Sequence, residues 1–231
     1  MSENIANGSS AKRVLVTRHS PLVTVKHLGT VPYLPTYEAM RAFTDARTPE
    51  TPDEIWLLQH APVYTYGVAG RAEHLPQSDN GIPVIKVDRG GQVTYHGPGQ
   101  LIAYVLLDLR RRGLAVKSLV RSLEQAAIDA LSGLGLATQR HPGAPGVYVA
   151  GAKVAALGLR IRNGCSYHGL SVNVDMDLSP FDAIDPCGYP GLRVTALRNL
   201  GVNARMDEVG ERLLSHLVCA LGMHIDLKDG Q

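Results

Sequence analysis

The sequence predicts a mixed sheet with several helices outside it, in the α+β or α/β range. Three observations predict it. The segments "GVYVAGAKVAALGLRIRNG" and "CSYHGLSVNVDMDL" alternate and turn like adjacent antiparallel strands. Residues 116–135 place apolar side chains at 119, 120, 123, 127, 128 and 131, one stripe of a helix. "LIAYVLLDLRRRG" is an apolar run ending in charge, which suits a buried strand.

The other elements follow in chain order. Residues 1–12 read as a disordered leader and 13–231 as a single domain, since no linker interrupts them. "RVLVTRHSPLVTV" has strand character. A helix is expected at about 36–47, capped by Thr36, with Tyr37, Met40 and Phe43 on its apolar side. A strand at about 54–60 follows a Pro-rich turn, and "IPVIKVDRGG" is a strand running into glycines. "MDEVGERLLSHLVCALG" closes the chain as a helix, with Cys219 in its most apolar stretch and therefore expected in the core.

Bulk properties exclude several classes. A net charge of +2 is too mild to argue for nucleic acid. No run approaches the roughly 20 apolar residues of a membrane helix, and the polar N-terminus lacks a secretory h-region. Three cysteines, Cys165, Cys187 and Cys219, make no disulfide framework and fit a reducing cytoplasm. The histidines show no metal-ligand spacing, so no metal is expected.

Three segments are chemically unusual. "RGGQVTYHGPGQ", residues 89–100, brackets a short strand between glycine turns and has the composition of a ligand-facing loop or a plain hairpin. It lacks the Gly-Lys-Ser/Thr ending of a phosphate loop. Lys153 sits in an apolar strand, as a snorkelling edge lysine, as a proton-transfer lysine or as a cation that holds an anion. Cys187 lies in "IDPCGYPG", where proline and glycine on both sides place it on a turn. An inert loop thiol and an activated thiolate both fit; Lys153, His168, His96 and Arg193 are the cations that would lower its pKa.

Together "RGGQVTYHGPGQLIAY", "GVYVAGAKVAALGLRI", "CSYHGLSVNVDMDLSPFDAIDPCG" and "VTAL" resemble the octanoyltransferases of protein lipoylation, over roughly residues 55–200 and in that family's order. The resemblance implies the biotin/lipoate protein ligase fold, a mixed, largely antiparallel sheet packed with helices. It implies that Cys187 is the acyl-accepting nucleophile and that Lys153 lowers its pKa and moves protons. The family's acyl-binding segments match Arg89, Gly90, Gly91, Gln92, Val93, Thr94, Tyr95 and His96, then Ala156, Leu157 and Gly158, then Gly169, Leu170 and Ser171. Ser171 stands where the family usually has alanine, and small Ala156, Gly158 and Gly169 are expected to leave room for the acyl chain.

By that resemblance the octanoyl group arrives on the phosphopantetheine of acyl carrier protein. It leaves on a lysine of the lipoyl domains of 2-oxoacid dehydrogenase complexes and of glycine cleavage H protein. No ATP, metal or other cofactor, no nucleic acid and no membrane are implied, and the location is cytoplasmic. An ATP-dependent lipoate–protein ligase would not need Cys187, a cysteine thioesterase would pass the acyl group to water, and a silent acyl-binding protein would form no thioester. Arg110, Arg111, Arg112, Arg160 and Arg162 are candidates to meet an acidic carrier, or a solvated charge run.

Overall fold

The computed structural model describes residues 22–189 and 191–226; the side chain of Cys187 lies outside the described residues. The leader, and the part of the first strand reading that precedes residue 22, also lie outside them. Strand β1 (Leu22–Val31) runs into helix α1 (Tyr33–Asp45) and returns as β2 (Asp53–His60), parallel to β1. Strand β3 (Val63–Tyr66) pairs in parallel with the short β4 (Val84–Lys86) and antiparallel with β5 (Val93–His96), a separate small sheet. Strand β6 (Gln100–Leu106), helix α2 (Val116–Ser132), strands β7 (Gly146–Val149), β8 (Ala152–Arg162) and β9 (Cys165–Asn173), helix α3 (Met206–Ala220) and strand β10 (His224–Ile225) complete the chain.

The large sheet has the order β10-β1-β2-β6-β9-β8-β7. β10, β1 and β2 are parallel, and every pairing from β2 to β7 is antiparallel. This is the mixed, largely antiparallel sheet expected. Its two faces follow strand alternation. Ile55, Leu57, Leu101, Ala103 and Val105 pack under α2 and α3, whereas Trp56, Leu58, Ile102, Tyr104 and Leu106 pack with Tyr33, Tyr37 and Met40 of α1. Burial on both faces explains why β6 reads as unbroken apolar sequence. The β8–β9 hairpin turns on Asn163 and Gly164 at φ 51° and 78°, between paired Arg162 and Cys165, the Asn-Gly turn whose twist matches the strands.

Two expectations need correction. Thr36 does not cap α1; it lies inside the helix and its Oγ1 donates to the Pro32 carbonyl at 2.8 Å. Cys219 is exposed, because it lies about 200° around α3 from inward-facing Leu217, and Leu213 is on Leu217's face. Apolar neighbours in sequence do not share a helix face.

The arginine run is not simply solvated either. Asp53 is fully buried and receives Arg47 at 2.5 Å, Arg111 at 2.8 Å and Arg112 at 2.5 Å. Two of the three consecutive arginines therefore lock the β2 and β6 ends together. Arg162 pairs with Asp45 at 2.6 Å. Among the described residues, no helix is long and apolar enough to cross a membrane.

Candidate active site

The three predicted acyl segments meet around one partly open cavity on the α1 face of the large sheet. Arg89, Gly91, Gln92, Val93, Thr94 and His96 form one wall; Ala156, Leu157, Gly158, Gly169, Leu170 and Ser171 form another. Register explains the second wall, since Ala156 pairs with Ser171 and Gly158 with Gly169 across β8 and β9. Gly90 and Tyr95 do not line it. Gly90 instead donates its N–H to the Leu159 carbonyl at 2.8 Å, tying the glycine loop to β8. Tyr95 packs with Tyr64 and Phe181 in the core of the small sheet.

Gly158 and Gly169 are also closely packed: a side chain at Gly158 would meet Arg89 Cδ at 3.1 Å, and one at Gly169 would collide with the Ala103 carbonyl of β6. Arg89 itself is buried, its guanidinium donating to Thr65 O at 2.8 Å and Thr65 Oγ1 at 2.9 Å.

Tyr33, Ile102, Tyr104 and His168 also line the cavity and were not predicted to. Ile102 and Tyr104 were legible in principle, because they sit opposite Ser171 and Gly169 in the β6–β9 register. Tyr33 reaches the cavity from the first turn of α1, and nothing in its local sequence signals that.

The buried histidines are neutral. Burial pushes His60 down to about 4, against a hydrogen bond with the Val31 carbonyl, and pushes His96 down to about 3, with His60 adding to the effect. Burial likewise lowers His168, against its interaction with Asp88. Neither His96 nor His168 supplies a cation for a thiolate at neutral pH. Since His60 and His96 titrate well below the ordinary 6.5, their contribution to stability is present above that value and lost as pH falls. Each is expected to remove up to about 2 kcal/mol between pH 6.5 and 5. Urea unfolding at pH 7.5 and 5 checks this, with a shallower decline in His60→Gln or His96→Gln; a flat stability profile contradicts it.

Lys153 is 4% exposed. Its Nζ donates to the Pro145 carbonyl at 3.2 Å and lies 5.3 Å from the centre of the Tyr148 ring. A carbonyl and an aromatic face both favour an ammonium. The main chain of Lys153 is gripped by the segment that follows the cysteine turn: Lys153 N–H donates to Arg193 O, and Thr195 N–H donates to Lys153 O, each at 2.9 Å. The turn Pro186–Gly188, which carries Cys187, is a single 3-10 turn. At Gly188 a side chain would meet the Gln92 amide at 2.8 Å, so this turn lies against the cavity wall. Arg193 binds the Ala150 carbonyl through Nη2 at 3.0 Å.

Asn173 joins these parts from behind. It donates to Thr195 O at 2.9 Å and accepts from Gln100 at 2.9 Å, while the Gln100 carbonyl oxygen lies 2.7 Å from His96 Nδ1. Cys165 is buried, and burial raises its pKa, which leaves it an unreactive thiol.

A turn carrying a cysteine, beside an apolar cavity and returning along a buried lysine, suits acyl transfer, and the comparisons agree. The family model "Lipoyl protein ligase A/B catalytic domain" matches residues 32–218. The octanoyltransferase of Aromatoleum aromaticum is 61% identical over 86% of this chain and 85% of its own length. The chain belongs to the octanoyltransferase family. The octanoyltransferase of an Azoarcus species is 62% identical over 84% of this chain and 86% of its own length. A bi-partite lipoate protein ligase from Thermoplasma acidophilum shares the fold, with a TM-score of 0.72 at 20% identity, covering 90% of this chain and 86% of that one. The octanoyltransferase family thus carries out its chemistry on the fold of the ligases.

Proposed function

We propose that the enzyme transfers octanoyl from octanoyl-acyl carrier protein to a lysine of lipoyl domains through a thioester on Cys187. Two contacts support it: the turn bearing Cys187 lies against the Gln92 wall of the cavity, and the segment that follows the turn pairs, at Arg193 and Thr195, with the main chain of Lys153. Thiolate Cys187 attacks the thioester carbonyl, and the tetrahedral intermediate expels the phosphopantetheine sulfur, which takes a proton from the Lys153 ammonium. The lipoyl lysine amine then attacks the acyl-enzyme. Its proton passes to Lys153, the amide forms, and the Cys187 thiolate is released. Exchanging a thioester for an amide needs no ATP, and no metal takes part.

The octanoyl chain occupies the cavity between the glycine loop and β8–β9, with the residues Arg89–His96, Ala156–Gly158 and Gly169–Ser171 as its binding segments. Lipoyl domains as acceptors fit the family, and the similar Thermoplasma ligase is described together with its E2 lipoyl domain. The lipoyl domains of 2-oxoacid dehydrogenases and glycine cleavage H protein are the acceptors of this reading, in the cytoplasm. Arg111 and Arg112 pair with buried Asp53, which leaves Arg110 as the residue of that run not tied to this carboxylate.

The reading is tested by mixing enzyme, octanoyl-acyl carrier protein and an apo lipoyl domain without ATP, and weighing the lipoyl domain. Octanoylation is expected. Modification only with free octanoate and ATP would make the enzyme a ligase, and release of free octanoate in preference to transfer would make it a thioesterase.

A further inference from the structure

Glu124, on the buried side of α2, is 7% exposed. One carboxylate oxygen accepts the Gly146 N–H at 3.0 Å, and the other accepts Arg140 Nε at 3.1 Å. That N–H belongs to the same peptide group as the Pro145 carbonyl, which receives Lys153 Nζ at 3.2 Å. The order in space is therefore carboxylate, peptide, ammonium. A carboxylate bound to the N–H of a peptide draws its proton side and enriches its oxygen, so the carbonyl becomes a stronger acceptor for a cation. Gly146 is suited to this site. Its φ of 145° belongs to glycine, and a side chain there would meet Ala155 O at 2.8 Å and Lys153 Cε at 3.0 Å. Tyr148 completes the cradle, its hydroxyl donating to Ala144 O at 2.9 Å beneath the lysine.

We infer that Glu124 is a positioning residue for Lys153, holding its ammonium in place through the Pro145–Gly146 peptide. The inference rests on the role of Lys153 proposed above. Among the described residues, the charged and titratable groups around Lys153 include Tyr148 on β7, His141 against the Tyr148 ring at 5.6 Å, Arg193 on the returning segment, and Glu124 with Arg140 beyond the peptide. Of these, Glu124 is the group whose negative charge reaches Lys153 through a hydrogen-bonded peptide.

The test compares wild type, Glu124→Gln, Glu124→Ala and Lys153→Ala by the pH dependence of Cys187 alkylation with iodoacetamide, read on the Cys187 peptide. Glutamine keeps an acceptor for Gly146 but removes the charge, which weakens the ammonium and with it the thiolate. The alkylation midpoint should rise by about half a unit in Glu124→Gln and by about one unit in Glu124→Ala. Single-turnover acylation of Glu124→Ala should fall about tenfold, with partial rescue in Glu124→Gln. If both variants only lower the melting temperature and leave the midpoint in place, Glu124 is structural and the inference fails. Should Glu124→Ala not fold, the shape-preserving Glu124→Gln decides alone. An unmoved midpoint in Lys153→Ala would instead overturn the role of the lysine itself.

Discussion

Cys187→Ser is expected to lower octanoylation of a lipoyl domain by at least about a thousandfold, because an alcohol is a far weaker nucleophile than a thiolate. Melting temperature should stay close to that of wild type, since the change is a single atom on a 3-10 turn. Cys165→Ser serves as the contrast: that thiol is buried at the far end of the β8–β9 hairpin and its pKa is raised. It should leave transfer within about twofold of wild type, as removal of a group outside the reacting site does. A rate comparison with octanoyl-acyl carrier protein as donor checks both. Retention of a tenth or more of the activity in Cys187→Ser would remove the covalent step.

Asp53→Ala is expected to cost about 3–5 kcal/mol, because it leaves guanidiniums buried without their carboxylate. Arg47 and Arg112 have side chains 4% and 5% exposed, so water does not replace what they lose. The Asp108 N–H also loses its acceptor at 2.9 Å. Set against a typical total of about 5–15 kcal/mol, this is enough to leave much of the chain unfolded at 37 °C. Urea unfolding of wild type and variant checks it. A loss under about 1 kcal/mol would mean the arginines find other partners or water.

What was legible in the sequence was what local periodicity and turn chemistry dictate. The stripe of Leu119, Leu123, Ala127 and Leu131 marked α2, and those side chains are all buried. Alternation around the Asn-Gly turn marked β8 and β9, whose pairing brings Ala156–Gly158 against Gly169–Ser171. What local sequence could not carry was anything set by long-range placement. Strand β3 is a four-residue run whose pairing partners lie roughly 20 to 30 residues downstream. Tyr33 lines the cavity only because α1 packs on that face. Glu124 sits among helix-forming neighbours, and only the tertiary packing of α2 against residues 145–146 turns its carboxylate toward Lys153's cradle. Arg111 and Arg112 read as a charge run because the sequence does not show Asp53, 58 and 59 positions away, folded between them.

The covalent step itself is tested most directly by incubating the enzyme with octanoyl-acyl carrier protein alone and taking an intact mass, followed by peptide mapping. The account predicts one octanoyl adduct, removed by hydroxylamine, on the peptide that contains Cys187, and absent from Cys187→Ser. An adduct on Cys165 or Cys219, one that resists hydroxylamine, or none at all under conditions where lipoyl domains are octanoylated, would contradict it.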